Sequence, residues 1–218
     1  MGAGNAYLVF YNVAQFVGWG YILYQLVLNF ANGYDPSTLW ESVGCALMIF
    51  QNAAVLEIVH SLVGLVRSPV GTTLMQVFSR VVVTTIVCYN IPEARVDHNF
   101  AMIMFAWSVT EVVRYSFYAF NLVGRVPYPL VWMRYTFFYV LYPLGVSGEI
   151  WTIIIALPIT IERNVLGMHD FGTPYILAGL FVVALLGYIP GFPMLYNYMR
   201  VQRRKVIGGA GSKKKKSQ

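Results

Sequence analysis

Charged side chains are scarce in this sequence: Asp, Glu, Lys and Arg make up 11% of its 218 residues, against 58% hydrophobic ones. So little polar surface cannot coat a soluble globule, and a mean hydropathy of +0.61 agrees. The composition excludes a soluble domain and implies a polytopic membrane protein. Cysteine is scarcer still. Cys45 and Cys88 both fall in apolar runs, which argues against a disulfide framework and reads as small core residues. No His, Cys, Asp or Glu cluster has metal-ligand spacing, and no internal repeat of the kind many transporters carry is present. The first residues lack a charged leader and a cleavage pattern, so Tyr7 to Phe30 reads as a retained first span. A myristoylation signal is also incomplete, because Ala6 stands where Ser or Thr belongs.

What is present is length in apolar segments. Six stretches approach or exceed the ~20 residues a helix needs to cross hydrocarbon: Tyr7–Phe30, Val43–Val66, Thr73–Ile91, Phe100–Leu122, Val131–Leu157 and Pro174–Tyr198. Short connections separate them, marked by Asn32-Gly33-Tyr34-Asp35-Pro36, Arg67-Ser68-Pro69, Pro92 and Pro127. The expected fold is all-α: a bundle of six transmembrane helices forming one domain over residues 1–199, followed by a basic tail over 200–218.

The net charge of +6 is uneven, since eight of the fifteen basic residues follow Met199. Basicity here concerns topology and the lipid bilayer rather than a nucleic-acid partner. With both termini cytosolic, Arg67, Arg125 and the tail lie inside, and the opposite loops hold only Arg95 and Arg163. The ending Lys215-Lys216-Ser217-Gln218 resembles the dilysine retrieval signal of endoplasmic reticulum membrane proteins; a four-lysine run also suits anionic lipid.

Against this apolar background a few polar residues need a reason. Glu149 lies in the longest apolar stretch, where an ionisable side chain points to function by default. Tyr142 precedes it by seven residues, two helical turns, which puts both on one face about 10 Å apart along a helix axis. Pro143 and Gly145 lie between and are candidates for a kink that shortens this gap. Such a pair can act as acid and base on one substrate. Glu57 and His60, three apart, share a helix face, either as a hydrogen-bonded link between helices or as site-lining groups. Arg80 falls inside the third span, and Glu111 and Arg114 are again three apart in the fourth; each serves as paired structural charge or orients the catalytic run. Trp107, Tyr115 and Tyr118 read as interface anchors and packing. The segment His60-Ser61-Leu62-Val63-Gly64-Leu65-Val66-Arg67 imitates a tyrosine-phosphatase phosphate loop. However, a serine cannot supply the low-pKa thiolate nucleophile, and the flanks are membrane helix.

The run Arg134-Tyr135-Thr136 with Val140-Leu141-Tyr142-Pro143-Leu144-Gly145-Val146-Ser147-Gly148-Glu149 resembles the signature of the very-long-chain 3-hydroxyacyl-CoA dehydratases, also called protein tyrosine phosphatase-like proteins. Supporting stretches are Tyr11-Asn12, Gly18-Trp19, Leu56 to His60, Gly64 to Val70, Ser79-Arg80, Trp107 to Ser116 and Tyr188-Ile189-Pro190-Gly191, so the likeness covers nearly the whole chain. Its most specific part is the Y-P-x-G-x-x-x-E spacing, and Leu65 to Pro69 looks most like plant members. The resemblance implies an enzyme of the endoplasmic reticulum membrane that dehydrates a (3R)-hydroxyacyl-CoA to the trans-2-enoyl-CoA, the third step of fatty-acid elongation, in company with other elongase enzymes. It puts the catalytic pair on Tyr142 and Glu149 and supporting roles on Arg80, Glu111, Arg114, Arg134 and Gly145.

Such a dehydration needs a base at C2 and an acid at the C3 hydroxyl, with no metal or redox cofactor. Glu149 as base and Tyr142 as acid is the working assignment, and the reverse stays open. Arg80, Arg114 or backbone amides near Pro143 and Gly145 are candidates to stabilise the thioester oxygen. Arg67, Arg125 and Arg134 would meet the coenzyme A phosphates, and the acyl tail would lie in a tunnel among the helices. From Arg134 a straight helix puts Glu149 about 22 Å deep, past mid-bilayer. Two other readings remain: a transporter or proton relay through Glu57, His60, Arg80, Glu111, Arg114 and Glu149, and a noncatalytic membrane scaffold.

Overall fold

A computed structural model describes residues 2–163, 165 and 173–208, so the terminal lysines lie outside the described residues. Among these the chain is all-helical. Helix α1 spans Ala3–Ala31, α2 Pro36–Ala53, α3 Val55–Leu62, α4 Val70–Val81, α5 His98–Leu122, α6 Tyr128–Arg134, α7 Phe138–Glu162 and α8 Thr173–Arg203. A π-helical stretch, Val82–Cys88, continues α4, and another, Arg204–Gly208, continues α8 past the expected end of the last span.

The boundaries follow local chemistry. Asp35 caps α2 by accepting from the Ser37 amide at 2.9 Å, with Pro36 in the first turn where its missing N–H costs nothing. The preceding turn needs Gly33, whose φ of +97° lies in the left-handed region. Gly64, at φ +71°, ends α3 in the same way. The fifth apolar stretch is not one rod. Its helix breaks over Tyr135–Phe137, between α6 and α7, and Pro143 falls within α7 instead of marking a break.

Packing runs α2–α1–α5–α7–α8, with α5 at the centre between α1 and α7, while α3 and α4 pair with one another. The burial pattern is the reverse of a soluble protein's. Large apolar side chains such as Phe10, Val17, Val140, Val183 and Ile189 face outward, while Asn12, Gln15, Gln51, Asn99, Glu111 and Glu149 are buried. An exterior of this kind matches hydrocarbon, and intramembrane polar groups face the bundle interior. Among the described residues, four helical rods are long and apolar enough to cross a membrane: Pro36–Leu62, Val70–Cys88, Phe138–Glu162 and Thr173–Gly208. Helices α1 and α5 match them in length, with 29 and 25 residues, and carry much of the interior polar set.

The two ends differ. At one, Tyr7 meets His60, and the α5–α6 and α8 termini bring Arg134 against Tyr118 and Arg203 against Thr136. Arg67 and Arg125 are exposed in loops at this end, which we term the basic end. At the other, Tyr34 stacks on His98, and Arg163 pairs with Glu93 at 2.7 Å. Of the cysteines, Cys88 is buried as expected, but Cys45 is exposed: it faces outward from α2 and is not a core residue.

Candidate active site

The site is built where α7 crosses α5. Close approach there requires small residues. A Cβ on Gly148 would lie 2.8 Å from Ile103 Cγ1 and 3.0 Å from the Asn99 carbonyl oxygen. One on Gly145 would lie 3.3 Å from the Ala106 Cβ and 3.8 Å from the Trp107 ring. This contact brings Glu149 against Trp107. The indole Nε1 donates to Glu149 Oε1 at 2.8 Å, and the Tyr188 hydroxyl, from α8, donates to Oε2 at 2.5 Å. A carboxylate 7% exposed thus has a charge-assisted bond on each oxygen. One turn further along α7, Thr152 accepts from Asn99 Nδ2 at 2.6 Å and fixes the register of the two helices.

Tyr142 occupies α7 two turns before Glu149, on an unbroken helix, and is half-buried. Its ring stacks on Phe192 of α8, centroids 5.1 Å apart and planes within 2°, with Tyr196 beyond. Between α7 and α8 runs an apolar groove of about 610 Å³, lined from Pro143 through Ser147 and Ile150 to Ile154 on α7, and from Phe192 through Tyr188 to Leu185 on α8.

A ladder of opposite charges climbs from this point toward the basic end. Arg80 lies over the Trp107 face, 4.9 Å from its centroid, and is ion-paired with Glu111. Glu111 also accepts from Arg114 Nε at 2.6 Å. Arg114 then grips Glu57 with both terminal nitrogens, at 2.7 and 2.9 Å. Tyr115 donates to Glu57 at 2.5 Å, and Tyr11 reaches it at 3.4 Å. The two carboxylates and two guanidiniums neutralise one another, which is what permits four ionised groups in an apolar bundle. Apart from Glu111–Arg114 within α5, these bonds tie separate helices together: α4 to α5, α5 to α3, α3 to α1.

The predicted residues therefore fall into three places. Glu149, Tyr142, Gly145 and, through Trp107, Arg80 meet at the α5–α7–α8 junction. Glu111, Arg114 and Glu57 form the ladder. Arg134, Arg67 and Arg125 sit at the basic end, away from the carboxylate. His60 does not bond Glu57 despite the shared face; it contacts Tyr7 at 2.9 Å. Pro143 and Gly145 lie within a continuous helix, and no break between Tyr142 and Glu149 shortens their spacing. Because α7 starts at Phe138, Glu149 lies about 17 Å along it. The phosphatase-like segment forms no phosphate loop: His60 and Ser61 end α3, and the Ser61 hydroxyl donates to the Ser68 carbonyl at 2.7 Å.

Three aromatic residues were misread or missed. Trp107 and Tyr115 are buried packing residues rather than interface anchors, and they donate to Glu149 and to Glu57 respectively. Tyr188 stood only as part of a closing motif. The signal was available for two of them. Trp107, Glu111, Arg114 and Tyr118 recur at spacings of four, three and four, a single polar stripe on α5, and Tyr115 adjoins it. Nothing in the sequence ties Tyr188 to Glu149 across 39 residues.

An apolar-surfaced helical bundle defines the class, an all-helical membrane protein, and its buried, bonded carboxylate with a nearby phenol and an apolar groove is the candidate site. Residues 51–209 match the family described as "Protein tyrosine phosphatase-like protein, PTPLA". The chain is 49% identical over 217 residues to the very-long-chain (3R)-3-hydroxyacyl-CoA dehydratase hpo-8 of Caenorhabditis elegans, covering 97% of this chain and 98% of that one. It is 38% identical to very-long-chain (3R)-3-hydroxyacyl-CoA dehydratase 2 of Homo sapiens, covering 97% and 84%. A plant relative, very-long-chain (3R)-3-hydroxyacyl-CoA dehydratase PASTICCINO 2 of Arabidopsis thaliana, is 36% identical, covering 93% of each chain. No solved structure matches. The chain belongs to the protein tyrosine phosphatase-like family, whose relatives named above are 3-hydroxyacyl-CoA dehydratases.

Proposed function

We propose that this protein is a very-long-chain (3R)-3-hydroxyacyl-CoA dehydratase, a hydro-lyase of fatty-acid elongation. The observation that carries the reading is Glu149: a buried carboxylate bonded on both oxygens, two turns from a tyrosine and beside an apolar groove, in a chain 49% identical to a dehydratase over nearly its full length. Glu149 takes the proton from C2. The C3–oxygen bond breaks, the hydroxyl leaves as water with the proton of Tyr142, and the C2–C3 double bond forms. Return of the proton from the carboxyl to the phenolate restores both groups.

For charge on the thioester oxygen, Arg80 is the better placed arginine. All three nitrogens of Arg114 are engaged by Glu57, Glu111 and Tyr115, whereas Arg80 gives one to Glu111 and spans the Trp107 face beside Glu149. Pro143 offers no help, because a proline frees a carbonyl acceptor four residues back and not a donor. The reading includes six spans with both termini cytosolic, residence in the endoplasmic reticulum membrane and contact with other elongase enzymes. The basic residues at one end of the bundle support the orientation, and coenzyme A would be held there.

The test is dehydration of a long-chain (3R)-hydroxyacyl-CoA by purified protein, wild type beside Glu149→Gln. Turnover by wild type alone is the expected result. Turnover by both removes Glu149 from the chemistry; turnover by neither, with the protein folded, removes the dehydratase reading.

A further inference from the structure

The acyl chain is expected in a tunnel among the helices, but the space that Tyr188 links to Glu149 is a groove of another kind. On α7 the groove is lined by a stripe spaced four, three and four, Pro143, Ser147, Ile150 and Ile154, facing the α8 set that includes Leu185 and Phe192. The stripe exists because α7 turns Gly145 and Gly148 toward α5, which leaves this other face to α8. The groove is about 17 Å long along the helix axis and opens on the outside of the bundle, where Leu186 and Ile189 are exposed.

Resting on the dehydratase reading above, the geometry points to this α7–α8 groove as the acyl-chain site, entered sideways from the bilayer. Three features set the occupant and its direction. Tyr188 lines the groove while its hydroxyl holds Glu149, so one side chain joins the apolar surface to the carboxylate. Only Tyr188 and Ser147 contribute polar side chains to it, so the occupant is hydrocarbon. The two ends differ in their described charge: past Phe192 and Tyr196, Arg203 lies over Tyr139, 5.6 Å from its centroid, beside Arg200 on the same helix, whereas past Ile154 the cation that follows α7, Arg163, is ion-paired with Glu93. A thioester with its phosphates at Arg203 and its reacting carbons by Glu149 sends its tail toward Ile154 and Leu185, and out into lipid beyond. An open groove imposes no end wall. Chain length is then read by the contact made along Ile150 and Ile154 and has no upper limit set by the fold.

The experiment uses the full chain in lipid nanodiscs with a long-chain 3-hydroxyacyl-CoA carrying a diazirine within its acyl chain a short way beyond C3, the labelled peptides being mapped by mass spectrometry. Label on 150–154 and 185–189 supports the site. Label confined to other segments, such as the hollow by Phe30 and Met102, or spread evenly over the outward faces, overturns it. Turnover assayed alongside separates the two ideas. Labelled groove without dehydration keeps the site and loses the reaction; dehydration with label elsewhere does the opposite. In addition, Ile154→Trp should raise KM for a long-chain substrate roughly tenfold, the scale on which apolar pockets discriminate, and leave a short-chain substrate unaffected. The outward-facing control Val183→Trp should change neither. Equal loss for both lengths, or none, in Ile154→Trp overturns the proposal.

Discussion

Tyr188 and Glu149 lie on different helices, 39 residues apart, and are joined by a hydrogen bond of 2.5 Å from the phenol to Oε2. With Trp107 on the other oxygen, the carboxylate is held in one rotamer with its lone pairs directed. A hydrogen bond to a charged group is worth about 1.5–3 kcal/mol.

Tyr188→Phe and Trp107→Phe should therefore each lower kcat roughly ten- to a hundredfold while moving KM little, because they remove the donors that place the base, and Tyr188→Phe keeps the ring that lines the groove. Steady-state kinetics on both variants check this. An unchanged kcat in both would mean that Glu149 does not depend on its donors.

Gly148→Ala should destabilise more than Gly145→Ala. The first drives a methyl into the Ile103 side chain and a backbone oxygen that cannot move aside, the second only toward Ala106 and Trp107. Overpacking costs about 1–3 kcal/mol, and thermal melting in a fixed detergent should rank the two accordingly.

The charge ladder predicts non-additivity. Arg114→Met strands Glu57, while Glu111 keeps Arg80, and leaving a buried charge unpaired costs about 3–5 kcal/mol. Arg114→Met with Glu57→Gln removes the stranded carboxylate and should recover part of that loss, whereas Arg114→Lys should not match wild type because one ammonium cannot span the bidentate and Nε contacts. Yield of monodisperse protein and melting temperature of the three variants decide it.

At the end opposite the basic residues, Glu93 titrates below the ordinary carboxylate range, held there first by its own backbone amide and then by Arg163. A depressed carboxyl contributes stability above its unfolded-state pKa and loses it as pH falls through the folded-state value. Arg163 is exposed and Glu93 partly so, and the effect is at most about 1 kcal/mol and screened by salt. The acid-side fall in melting temperature should be slightly smaller in Glu93→Gln than in wild type, most clearly at low ionic strength.

The sequence by itself determined the class of this protein, because composition and the length of apolar runs answer directly to the solvent a chain must meet. It also singled out Glu149, since an ionisable group in such a run has few innocent explanations, and it displayed the α5 stripe to any reading that counted helical spacing. Four of the six apolar stretches appear as rods able to cross a membrane by length and hydropathy; α1 and α5 are less apolar because their polar residues turn inward. The break at Tyr135–Phe137 was hidden, since no proline or glycine marks it. Tertiary structure alone decided who bonds whom. Glu57 passes over its neighbour His60 for Arg114, 57 residues away. Tyr188 reaches Glu149 only because Gly148 lets α7 sink against α5 while α8 closes from the other side. Such pairings depend on the distance between helix axes, which small residues set and which a linear pattern does not contain.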